Sequence, residues 1–139
     1  MIYREMVVDD YEAAYQLWEY TEGMGLSEAD SRLEIIRYLE RNRGFSQICE
    51  NEDGQIVGTA LYGHDGRRGY MYHVAVSDDC RRMGVGRKLV TRCVENLRAA
   101  GIAKCHLMVI ESNEQGREFW EGMGWQYRGG IMLYSQDIL

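Results

Sequence analysis

Val74-Ala75-Val76-Ser77-Asp78-Asp79-Cys80-Arg81-Arg82-Met83-Gly84-Val85-Gly86-Arg87-Lys88-Leu89-Val90 joins an apolar strand to a basic, glycine-spaced turn that opens a helix. Such a turn suits a polyphosphate. A helix N-terminus leaves backbone N–H groups unpaired, and its dipole favours anions. Gly84 and Gly86 carry no Cβ, so a phosphate can approach the chain at both. Arg81, Arg82, Arg87 and Lys88 add positive charge, the arginines in a fork that fits phosphate oxygens.

Spacing separates the phosphate-binding turns that could claim this stretch. A P-loop needs Gly-Lys followed by Ser or Thr, whereas Gly86 is followed by Arg87, Lys88 and Leu89. A dinucleotide fingerprint needs glycines close behind the strand and a third glycine where Leu89 stands; Glu111 is its one remaining trace. Arg-x-x-Gly-x-Gly remains, as Arg81, Gly84 and Gly86 after Val-Ala-Val. An ordinary glycine turn with solvated arginines has the same six residues, so the surrounding chain has to decide.

Net charge is −6 over 139 residues, which argues against general nucleic-acid binding and makes the basic cluster a local feature. The length suits one domain, expected to span residues 1–139. Met1 to Asp10 has no apolar signal core and no window has the uncharged length of a membrane span, so a cytoplasmic protein with no membrane partner is expected. Cys49, Cys80, Cys93 and Cys105 lack C-x-x-C spacing and read as reduced thiols, most of them packed in apolar segments. His64, His73 and His106 have no metal-ligand spacing with them, so no metal is expected.

Tyr11, Ala14, Tyr15 and Trp18 mark a first helix, with Asp9 and Glu12 as its capping box. Ser31-x-x-Glu34 and the stripe Leu33, Ile36, Leu39 predict a second helix ending near Gly44. Phe45 to Glu50, Gln55 to Gly63 and Tyr70 to Val76 read as an antiparallel meander, with Asn51-Glu52-Asp53-Gly54 as its first turn. Leu89, Val90, Cys93, Val94 and Leu97 form the apolar face of a third helix that stops at Gly101. Cys105 to Ile110 reads as a buried strand, and Ser112-x-x-Gln115 as the start of a fourth helix closed around Gly124. Two tail strands are expected near Trp125 to Arg128 and Ile131 to Gln136, turning at Gly129-Gly130.

This order, together with Arg-x-x-Gly-x-Gly, resembles the GNAT superfamily of N-acetyltransferases over essentially the whole chain. A second segment agrees independently: Asn113-Glu114-Gln115-Gly116-Arg117-Glu118-Phe119-Trp120-Glu121-Gly122-Met123-Gly124-Trp125 is similar to the family's Asn-x-x-Ala-x-x-Phe-Tyr-x-x-x-Gly-Phe. The chain looks like a small bacterial single-domain member. The resemblance implies an α/β (α+β) GNAT fold: a mixed, mostly antiparallel sheet of about six to seven strands flanked by four helices. It also implies acetyl-CoA as cosubstrate and, since many relatives pair through their C-terminal strands, a possible homodimer.

In that family the pantetheine arm lies like an extra strand beside Val-Ala-Val, so main-chain groups of Val74 and Val76 are the implied contacts. The pyrophosphate would rest on Arg81, Arg82, Met83, Gly84, Val85, Gly86, Arg87 and Lys88. Asn113 would bond the pantetheine arm, although capping the fourth helix explains it equally. Arg82, Arg87 and Lys88 also fit a plain reading as solvated helix charges. Trp120, counted with the cofactor site, stands where many relatives have the tyrosine that protonates the departing thiolate. An indole N–H is no acid in this range, so Tyr134 or solvent would have to serve, unless proton donation is not limiting.

Acetyl transfer to an amine needs a neutral nucleophile, and an alkylamine is mostly protonated at neutral pH. Relatives often carry the base two or four residues before the first valine, positions held here by Tyr72 and Tyr70. Strand alternation puts both on one face with Val74 and Val76, where they either order a water chain or form an aromatic wall. Histidine is the better kind of base near neutral pH, but alternation turns His73 to the opposite face, as a packed or hydrogen-bonded histidine. His64, Asp65 and Glu22 are further candidates near an acceptor mouth. Another route seen in relatives, a glutamate on the next strand, is closed because Met108 occupies that place.

The implied activity is transfer of an acetyl group from acetyl-CoA to a primary amine, small-molecule or peptide, by direct attack on the thioester. Acidic net charge favours a cationic small molecule. The alternative is a non-catalytic acyl-CoA-binding or sensing module of the same fold, consistent with Trp120 and the missing carboxylate base.

Overall fold

The computed structural model describes all 139 residues. They gather into two compact units, Met1–Met108 and Val109–Leu139.

The first unit is built on a mixed sheet of five strands in the order β1 (Ile2–Glu5), β2 (Gln47–Glu50), β3 (Ile56–His64), β4 (Gly69–Val76) and β5 (Cys105–Leu107). The first four pair antiparallel and β5 joins β4 in parallel. Five strands therefore replace the expected six to seven. Residues 125–139 form no strand. Ile131, Met132, Leu133 and Tyr134 lie exposed, so the alternation that suggested a tail strand has no ladder to join. Ile2–Glu5, by contrast, is a strand that its short mixed sequence conceals.

Helices α1 (Tyr11–Glu19) and α2 (Arg32–Arg41) cover one face of this sheet. Trp18 and Ala14 of α1 and Ile35 of α2 pack with Ile48, Leu61, Ala75 and Met6, and Tyr38 and Leu39 lie against the cluster. The inner face of α2 is thus Ile35, Tyr38 and Leu39, at i, i+3 and i+4, rather than the aliphatic stripe Leu33, Ile36, Leu39. Leu33 is 65% exposed. Ser31 caps α2 as expected, accepting from the Glu34 N–H.

Asp9 does not cap α1. The preceding residues form a single 3-10 turn, Val8–Asp10, and Asp10 is the N-cap position. Its carboxylate accepts from the two terminal guanidinium nitrogens of Arg4 and from the Val7 N–H. Burial alone would raise the Asp10 carboxyl, but those bonds outweigh it and hold it below the usual carboxylate range.

Helix α3 (Val85–Ala99) covers the opposite face. A Cβ on Gly58 would meet Val85 at 2.8 Å, and one on Gly69 would meet Leu97 at the same distance. Two strand glycines therefore let the helix lie against β3 and β4. Cys49, Cys80 and Cys93 are buried free thiols and Cys105 is half-buried. No helix is long and apolar enough to cross a membrane.

The second unit holds α4 (Glu114–Gly122). Asn113, not Ser112, is its N-cap, with Oδ1 accepting from the Gly116 N–H at 3.0 Å. A Cβ on Gly116 would meet the Asn113 amide nitrogen at 2.5 Å, which is why glycine suits this position. Trp120 packs edge-on against Phe119 and Trp125, with ring centroids 5.0 and 4.9 Å away.

Candidate active site

Strand β4 carries the main departure from simple alternation. Leu61 pairs with Tyr72 and Thr59 with Ala75, so His73 and Val74 together oppose the single residue Ala60. This is a β-bulge, and His73 takes the left-handed conformation it requires, with φ of 45°. Two hydrogen bonds hold it. The Trp18 indole N–H donates to Thr59 Oγ1 at 2.9 Å, and that hydroxyl donates to the His73 carbonyl at 2.8 Å.

The bulge changes which side chains meet. Tyr72 and Ala75 lie with Leu61 and Thr59 on the α1 and α2 face, whereas Val76 pairs with Gly58 on the α3 face. Tyr70 and Tyr72 therefore do not share a face with Val76, and the expected alternation is corrected at this point. His73 is not turned away from Tyr72 either: both line one cavity.

That cavity, about 930 Å³, opens between β4, α2 and the 3-10 turn Glu28–Asp30. Asp30, Glu34, Tyr38, Arg41, Tyr72 and His73 line much of it. His73 Nε2 lies 2.6 Å from Asp30 Oδ1, with side chains only 12% and 9% exposed. Asp30 is itself fixed, since its Oδ2 accepts the Ser27 N–H at 3.0 Å. The Trp18 ring lies 4.7 Å from the imidazole. Tyr38 and Tyr72 meet edge to face at 6.2 Å, and burial raises both phenols above their ordinary range. A phenol in that condition is a poor base at neutral pH.

The other candidates have local roles. His64 Nδ1 accepts from the Gly66 N–H, and Asp65 Oδ1 accepts from the N–H groups of Arg67 and Arg68, so both build their turn. Glu22 is exposed. Met108 is exposed, and so is Tyr134.

Beyond Met71 the ladder between β4 and β5 stops, leaving Tyr72–Val76 without a strand partner on that side. The chain then passes through the 3-10 turn Asp78–Cys80 to Gly84, the N-cap of α3, at φ of 79°. No side chain caps this helix, and a Cβ on Gly84 would meet nothing within 4 Å. The first N–H groups of α3 thus have no side-chain cap and the space beside Gly84 is open, an arrangement that suits an anion. Arg82, Met83, Gly84 and Arg87 are exposed around them, while Val85 and Gly86 are buried. Arg81 pairs with Asp78 at 3.1 Å, and the Lys88 ammonium sits 4.7 Å over the Tyr3 ring. Both of those cations already have partners within the fold.

The parallel ladder of β4 and β5 ends at Met71, and the free stretch of β4 leads through a basic glycine turn to a helix N-terminus that no side chain caps. The profile of the Acetyltransferase (GNAT) family matches residues 4–125. An acetyltransferase of Pectobacterium atrosepticum is 36% identical over 106 residues, covering 76% of this chain and 74% of that protein. The chain belongs to the GNAT acetyltransferase family. Among solved structures, an acetyltransferase of Trypanosoma brucei is similar with a TM-score of 0.71 and 24% identity, covering 99% of both chains. A Mycobacterium tuberculosis protein solved in complex with CoA is similar with a TM-score of 0.65 and 20% identity, over 86% of this chain and 70% of that one.

Proposed function

We propose that the protein transfers the acetyl group of acetyl-CoA to a primary amine, small-molecule or peptide, by direct attack of the amine on the thioester. One observation carries this: the unpartnered edge of β4 at Tyr72–Val76 leads, through one 3-10 turn, to the N-terminus of α3, which no side chain caps. An extended pantetheine arm fits the first through main-chain groups of Val74 and Val76, and a pyrophosphate fits the second. Arg82 and Arg87, both exposed beside those N–H groups, supply the charge. Asn113 and Trp120, which the family resemblance also assigns to the cofactor, lie in the second unit and belong to the proposal on that resemblance alone. Asn113 already caps α4 through Oδ1, which leaves its amide N–H groups as the donors.

The cavity on the α1 and α2 face takes the acceptor, with Tyr72 and Tyr38 as its aromatic wall. Tyr70 lies two residues before Tyr72 on the same face and is half-buried. The reaction forms a C–N bond, breaks the C–S bond and releases coenzyme A and one proton. No thiol of the protein takes part, so initial-rate kinetics should show both substrates bound before product leaves.

Calorimetric titration with acetyl-CoA tests the donor site. The native protein should bind, and Arg82→Glu combined with Arg87→Glu should weaken binding at least ~10-fold, by loss of charge-assisted phosphate contacts. Equal binding by the double variant would overturn the pyrophosphate site. Release of free coenzyme A from acetyl-CoA with spermidine, tyramine and L-lysine then separates an enzyme from a module that only binds.

A further inference from the structure

We propose that His73 is the group that takes the proton from the acceptor ammonium, with Asp30 and Thr59 as its positioning residues. The inference rests on the acetyl-transfer reading above and assigns it a base. A carboxylate only accepts hydrogen bonds, so the imidazole nitrogen 2.6 Å from Asp30 Oδ1 carries the hydrogen. Neutral His73 is therefore the Nε2–H tautomer, with a lone pair on Nδ1. No buried side-chain nitrogen or oxygen lacks a partner. Nδ1 makes no hydrogen bond within the fold and is therefore not fully enclosed, and His73 lines the cavity.

Three contacts fix this residue: Asp30 on its far ring nitrogen, the tilted Trp18 ring beside the imidazole and the Thr59 hydroxyl on its backbone carbonyl. A bulge of this kind costs backbone strain in a non-glycine residue. Here the strain keeps the side chain of residue 73 on the cavity side, one residue before Val74, whose main chain is assigned to the pantetheine arm. Simple alternation would have sent it elsewhere.

The step balances. Nδ1, directly or through one water, takes a proton from R–NH3+ and becomes imidazolium, whose charge faces the Asp30 carboxylate. The neutral amine adds to the thioester carbonyl carbon. The tetrahedral intermediate loses a second N–H proton as the C–S bond breaks, and that proton neutralises the leaving thiolate. The imidazolium returns its proton to solvent, so one proton is released per turnover. The Asp-His pair works as in a hydrolase triad, with the amine in place of the serine.

The test compares alkylamines with hydroxylamine, which is already neutral at neutral pH and needs no base. His73→Gln should lower kcat with spermidine, tyramine or L-lysine by ~10²-fold or more. Turnover of hydroxylamine should stay within about threefold, and the acetyl-CoA Kd by calorimetry within about twofold. Asp30→Asn can donate to Nε2 and so move the imidazole hydrogen onto Nδ1, which should reproduce the selective loss. It also carries the comparison if His73→Gln melts below assay temperature. Equal loss with both kinds of nucleophile would make the pair structural and overturn the proposal, as would unchanged alkylamine turnover in both variants. Native protein that binds acetyl-CoA but turns over no amine would overturn the transferase reading itself, and the base with it.

Discussion

Thr59 is the residue on which the site's geometry turns, because its one hydroxyl serves Trp18 from one side and the bulged His73 carbonyl from the other. Thr59→Val keeps shape and removes both bonds, leaving a buried indole N–H unpaired. It should lower the unfolding free energy by about 1–3 kcal/mol. Thr59→Ser keeps the hydroxyl and loses only a methyl group, about 0.8 kcal/mol. Denaturant titrations of the two variants check the order; a valine variant as stable as the serine variant would contradict it. The bulge explains why the base was not legible in the sequence. A left-handed bulge residue is usually marked by glycine or asparagine, and residue 73 is neither. Alternation was the right rule on either side of it and wrong across it. Asp30 was equally hidden, since forty-three positions separate it from His73 and no local spacing links them.

At the scale of elements, β1, the turn before α1 and β2 are tied together by one cation. Arg4 bonds Asp10 and also Glu50, so three segments depend on charges far apart in the chain. The Asp10 carboxyl is held below its unfolded value, which sets the sign of the pH effect. Its contribution is complete above the unfolded carboxylate range near 4 and is lost as pH falls through the lower folded value. Asp10→Asn should therefore cost about 1.5–3 kcal/mol at neutral pH, and the difference from the native protein should shrink in strongly acidic solution. Urea titrations at pH 7 and at about pH 2 measure it, and a pH-independent difference would contradict it. The same network accounts for the missed strand: Ile-Tyr-Arg-Glu has no apolar alternation, and its place in the sheet is supported by ion pairs and by Lys88 over Tyr3. The meander, α3 and α4 were legible because each has its own periodicity or turn. The α2 stripe was misjudged by counting aliphatic residues alone, when Tyr38 belongs to the inner face.

For the whole molecule, the assigned donor is a polyanion and the chain carries −6, so binding works against the mean charge and depends on the local cations. Arg81 and Lys88 are committed to Asp78 and Tyr3, which leaves Arg82 and Arg87 with the backbone N–H groups as the main attraction. Two consequences separate a pyrophosphate seat from a loose ionic encounter. Salt should weaken acetyl-CoA binding only in part, because fixed N–H donors at a helix terminus are less screened than exposed side chains. Occupancy should also stabilise the fold by mass action, about 2.7 kcal/mol at a hundredfold excess over Kd, or roughly 8 °C in Tm for a chain of this size. Thermal melts with acetyl-CoA, desulpho-coenzyme A and adenosine, each in low and high salt, measure both. Comparable shifts from the first two and little from adenosine would locate the affinity in the pantetheine and pyrophosphate contacts. A shift abolished by salt would reduce the site to surface charge, and the strand edge beside it would then need another occupant.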